Sequence, residues 1–150
     1  MKNKFFKKIP QSIYTVCSLA AVAAVNYSLI QSPIVFVFLA IILAHELGHY
    51  FVAKRHRAKV RLPIFIPLPF FVIGLTKISK LSLKHQKEVA LSGPLTGFIA
   101  ALLFLMLNGI FNFMSYIPLL FIAFNESVLN YFGSDGAKYR KAKKGSYLCI

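Results

Sequence analysis

The amino-acid sequence predicts an all-α, multi-spanning membrane protein of about four transmembrane helices, with a proline-rich re-entrant or interfacial extended loop after the second. Three observations lead there. Hydrophobic residues make up 57% of the 150-residue chain and fall in long blocks, without the surface-and-core alternation of a soluble domain. Four of those blocks, 13–30, 33–53, 89–107 and 116–132, have the length a helix needs to cross a bilayer. All 18 Lys and Arg residues lie in three groups, Lys2 to Lys8, Lys54 to Lys87 and Lys138 to Lys144. The connections around Gln31 and from Asn108 to Ser115 carry no charge. Threading four helices from an inside N-terminus places every basic residue on the cytoplasmic side, the positive-inside distribution. The net charge of +14 is therefore a topological signal. A nucleic-acid partner would need those charges on one folded face, and the apolar blocks separate them. Residues 1–150 are expected to form one membrane-embedded domain of the cell membrane, with both termini and the 54–88 region cytoplasmic.

The first block follows the basic stretch KNKFFKK and contains Ala21-Val22-Ala23, the composition of a secretory signal. The apolar run continues to Leu29 and Ile30, so an uncleaved first helix is expected. Cys17 and Cys149 have no partner at metal or redox spacing and read as ordinary thiols.

The second block contains LAHELGHYFV, Leu43 to Val52, the densest polar cluster of the chain inside an apolar run. Ionisable groups are costly there, which makes each one a functional-site hypothesis. On a helix His45 and His49, four residues apart, project from one face and can hold one metal ion. A catalytic zinc site needs three protein ligands and an open position for water. Glu46 is placed as the general base, taking a proton from a water whose pKa the metal lowers. The alternative is a pair of buried histidines hydrogen-bonded to neighbouring helices.

Between the second and third blocks, residues 62–76 read LPIFIPLPFFVIGLT. Pro63, Pro67 and Pro69 exclude a regular helix, and the stretch is short for a span. A crossing would also put Lys77, Lys80, Lys84 and Lys87 on the outer face. The segment is expected to dip in and return, or to lie at the interface, as extended chain. Its edge could pair with another strand, which makes the backbone around Ile64 and Ile66 a candidate for holding substrate.

In the third block, Gly93-Pro94 is expected to loosen the helix and allow close packing, and Gly48 to do the same in the second. Glu88 lies at the block's start with Lys84 one turn away, a structural placement. His56 and His85 fall in the basic region and are expected to be solvated.

A third metal ligand then has two candidates in or beyond the last block, Glu126 and Asp135. Counted at helical rise from Lys54, His49 lies about 7 Å and His45 about 13 Å inside the boundary. Counted from Lys138, Asp135 lies about 5 Å and Glu126 about 18 Å inside. Asp135 is nearer the histidine level, and Gly133 and Gly136 flank it with backbone freedom.

Taken together, HELGH, SGPLTGF at Ser92 to Phe98 and SDG at Ser134 to Gly136 resemble the site-2 protease family of intramembrane zinc metalloproteases. FIPLPFF resembles that family's extended loop after the zinc-binding helix. The motifs run in order from about Pro33 to Lys138. The resemblance implies one zinc per chain on His45, His49 and Asp135, with Glu46 as general base. Where the family commonly has an asparagine and a proline before the aspartate, this chain has Ser127 and Asn130, and Ser134 replaces the leucine. Asn125 or Asn130 would then take the polar substrate-holding role. The expected function is zinc-dependent hydrolysis of peptide bonds in or near the membrane segment of a membrane protein or hydrophobic peptide. Two alternatives stand beside it: a proteolytically inactive member acting as a binding or immunity-type membrane protein, and a small ion- or proton-relay bundle using Glu126 and the histidines.

Overall fold

The computed structural model describes residues 10–68, 71–79, 81–111, 120, 122–123 and 134–143. Along the chain run α1 (Gln11–Ile30), α2 (Ile34–Arg55), β1 (Ile64–Leu68), β2 (Phe71–Leu75), α3 (Leu83–Phe111) and α4 (Ser134–Lys143). Three of the helices, α1, α2 and α3, are long and apolar enough to cross a membrane. The fourth predicted span, 116–132, lies outside the described residues apart from Leu120, Ile122 and Ala123. Ile122 and Ala123 are buried with Val37 and Ile41 of α2 and Ala101 of α3.

Local chemistry sets the helix ends. Gln31 leaves α1 in the left-handed region at φ 50°, returning its N–H to the Tyr27 carbonyl at 2.8 Å. At the other end of α2, Lys54 and Arg55 face the negative end of the helix dipole. The third helix starts at Leu83, well before the apolar block at 89. Ser82 accepts the His85 N–H on its hydroxyl at 3.5 Å, and Gln86 Nε2 donates to the Leu81 carbonyl at 2.8 Å. Hydropathy is blind to such a polar first turn, because caps and not apolar burial hold it.

That earlier start corrects the reading of the basic region. Glu88 sits inside α3, not at its beginning, and its Oε2 lies 2.6 Å from His56 Nε2. The His56 ring stacks on that of His85 with centroids 3.9 Å apart. Both histidines, expected to be solvated, are held where the end of α2 meets the start of α3.

The proline-rich segment is an antiparallel hairpin in which Ile64 faces Leu75, Phe65 faces Gly74 and Ile66 faces Ile73. Its arms continue towards the helices: Arg61 donates to the Lys77 carbonyl and Ser79 to the Lys59 carbonyl, both at 3.0 Å. Phe65 is buried among Val22, Val35 and Leu39. The outer edge of β1 is covered by α1. There the Thr15 hydroxyl donates to the Pro63 carbonyl at 2.7 Å, and the Phe65 N–H donates to the Ser18 hydroxyl at 3.1 Å. Backbone groups alternate sides along an antiparallel strand. With Phe65 turned to α1, the backbones of Ile64 and Ile66 face β2, and those of Val72 and Gly74 face the opposite edge. Among the described residues, the edge of this hairpin left for a further strand is that of β2.

The two central helices, α2 and α3, approach closely at Gly48. A Cβ there would fall on the Thr96 hydroxyl and 2.7 Å from the Ser92 carbonyl oxygen. Thr96 Oγ1 also lies 3.1 Å from the Ala44 carbonyl, in donor range across the two helices. This contact seats the polar face of α2 against α3.

Candidate metal centre

Four residues apart on α2, His45 and His49 present their rings edge to face with centroids 5.0 Å apart. The start of α4 brings Asp135 to them. Its Oδ2 lies 3.0 Å from His45 Nε2 and 3.1 Å from His49 Nε2. All three residues are buried, and one ligand atom from each falls within 4.8 Å of the others. Asp135 Oδ1 turns the other way, to Lys138 Nζ at 3.0 Å.

Hydrogen bonding around His49 determines what that cluster can hold. His49 Nδ1 lies 2.7 Å from the Val89 carbonyl oxygen, which can only accept, so Nδ1 carries the proton. A neutral imidazole then aims the lone pair of Nε2 at a carboxylate oxygen, and two acceptors face each other at 3.1 Å. Only a second proton on the ring or a cation between the two atoms makes that arrangement favourable. Two zinc ligands at bond lengths near 2.0 Å and a tetrahedral angle lie about 3.3 Å apart, close to the spacing found here. The donor set of two imidazoles and one carboxylate also suits zinc. These residues fit the ion.

Glu46, also on α2 and buried, has its side chain against Gly74 of β2. The Thr76 hydroxyl donates to its Oε2 at 2.6 Å. A Cβ on Gly74 would strike the Glu46 side chain. Gly93 plays the same part on the opposite wall, since a Cβ there would fall on the His49 imidazole and 2.8 Å from His45 Nε2. Sequence reasoning gave Gly93 to helix packing and passed over Gly74 and Thr76. The G-P pair was the available signal for Gly93; nothing local marks the other two. Ile64 and Ile66 stand on β1 with exposed side chains. Glu126, Asn125, Asn130 and Ser127 lie outside the described residues.

Residues 33–143 match the sequence profile of Peptidase family M50. A zinc metalloprotease of Methanocaldococcus jannaschii is similar at 25% identity over 158 aligned positions, which take in 93% of this chain and 45% of that protein. The chain thus spans less than half the length of this curated relative. No solved structure matches it. The profile covers both histidines, the hairpin and Asp135, and on that match the chain belongs to Peptidase family M50, the site-2 metalloprotease family.

Proposed function

We propose that the chain is a zinc-dependent endopeptidase that cuts a membrane protein or hydrophobic peptide in or near its membrane segment. One observation supports this most: His45 Nε2 and His49 Nε2 converge on Asp135 Oδ2 in a buried cluster, with His49 Nδ1 turned to the Val89 carbonyl. His45, His49 and Asp135 would hold the metal. Bound there, zinc supplies Lewis-acid polarisation of the scissile carbonyl and acidifies the attacking water. Glu46 takes the proton from that water and hands it to the leaving amine. Thr76 holds the carboxylate in place by its hydroxyl. A helical substrate hides its own backbone, so it unwinds to be cut, and its extended stretch pairs with the outward N–H and C=O groups of Val72 and Gly74. That strand then lies next to Glu46, because Gly74 covers it. Residues 1–150 act as one domain with four spans and cytoplasmic termini, and the 54–88 region lies on the same side as the termini.

Zinc content beside cleavage of a membrane-anchored reporter tests the proposal. Glu46→Gln is expected to keep about one zinc per chain while cleavage falls by roughly 10² or more. His49→Ala is expected to lose both. Cleavage by Glu46→Gln at the wild-type rate, or folded wild-type protein that takes up no zinc, would overturn it.

A further inference from the structure

The two oxygens of Asp135 have separate partners. Oδ2 faces both imidazoles, at 3.0 and 3.1 Å, and Oδ1 is met by Lys138 Nζ at 3.0 Å. The separation follows from local helix geometry. Asp135 is the second residue of α4, and Lys138, three residues on, lies one turn further along the same face. Asp135 is almost fully buried, whereas the Lys138 side chain is 34% exposed and reaches in from the rim. A carboxylate whose second oxygen is unoccupied can swing to bind a metal through both. In a site with two imidazoles and a water, that second bond would raise the metal from four ligands to five and crowd the position a catalytic centre keeps for the reaction.

From this geometry we infer that Lys138 is a positioning residue that reserves Oδ1. Asp135 then binds the metal through Oδ2 alone, and one coordination position stays free for the reaction. The inference rests on the metal-centre reading above. It also runs against simple electrostatics, which makes it testable. A lysine near a dication repels it, so a bystander ammonium would change metal affinity and leave the number of ligands alone.

Cobalt(II) is the probe, because its visible absorption is several times stronger at a four-coordinate than at a five-coordinate site. The full chain, purified in detergent, is loaded to one cobalt per protein as checked by metal analysis, so that no substrate is needed. Lys138→Met is expected to lose most of the band intensity at full loading, as Asp135 takes up its second bond. Lys138→Arg, which restores a donor to Oδ1, is expected to return it. Lys138→Gln, shorter and neutral, serves as a second variant should the methionine protein not fold. Full loading of Lys138→Met or Lys138→Gln with the wild-type band would overturn the inference. A folded wild-type protein that binds no cobalt, or a band unaffected by Asp135→Asn, would instead refute the metal centre, and Lys138's role with it.

Discussion

Val89 contributes only a backbone carbonyl, yet it fixes which nitrogen of His49 is available to a metal. The Ser92 hydroxyl, one turn on, donates to the same oxygen at 2.7 Å. Such outer partners orient a ligand ring and raise its basicity. Gly93 completes this wall by having no side chain. Gly93→Ala is expected to displace the imidazoles, lower bound zinc and cost about 1–3 kcal/mol of stability by overpacking. Full zinc with an unchanged melting temperature would refute that. Asp135→Asn is expected to give largely metal-free protein, whereas Glu126→Gln keeps its zinc; the reverse pattern would move the third ligand to Glu126. Thr76→Val removes a neutral donor from the Glu46 carboxylate, and a hydrogen bond to a charged group contributes about 1.5–3 kcal/mol. A fall in kcat of roughly tenfold or more at unchanged zinc content is the expected result, with Thr76→Ser restoring it. His45, Glu46 and His49 were legible in the sequence because helical periodicity places them locally. Gly74, Thr76 and Gly93 were not, because their contacts run between elements and leave no periodic trace.

Three prolines marked the segment after α2 as non-helical, and it is extended. They did not reveal which side of it is open. That depends on Thr15 and Ser18, which are 48 and 47 residues from their partners in the hairpin. Sequence reasoning assigned substrate pairing to the backbone near Ile64 and Ile66, whereas those groups face β2. The two strands therefore respond differently to proline. Val72→Pro deletes an outward N–H on the open edge, a tolerated position for proline within a sheet. It is expected to depress cleavage while zinc and stability are retained. Ile66→Pro deletes an inward N–H and is expected to loosen the hairpin itself, seen as a lower melting temperature. Equal cleavage by Val72→Pro and wild type would show that substrate does not pair there. The early start of α3 was missed for a related reason: Ser82 and Gln86 hold it by polar caps, and hydropathy registers only apolar length.

The proposed orientation rests on the charge pattern. The basic end of α2 and the basic start of α3 lie together, joined through His56 and Glu88, as expected if both meet the same membrane face. A single cysteine at Lys77 or Lys143, in a chain with Cys17 and Cys149 replaced by serine, is expected to resist a membrane-impermeant reagent applied to intact cells. Efficient labelling at either position would overturn the four-span threading. The depth estimate from lysine boundaries placed Asp135 near the histidines, and the fold brings it into contact with them. The family match begins at residue 33, after α1 has ended. Yet α1 is the element that seals one side of the hairpin. Among the described residues, then, the free edge of the hairpin is set by a helix outside the matched region, and under the proposed function a substrate strand would have one lane, on the β2 side at Gly74. On that proposal, changes in α1 are expected to alter which substrates are cut while leaving bound zinc unchanged.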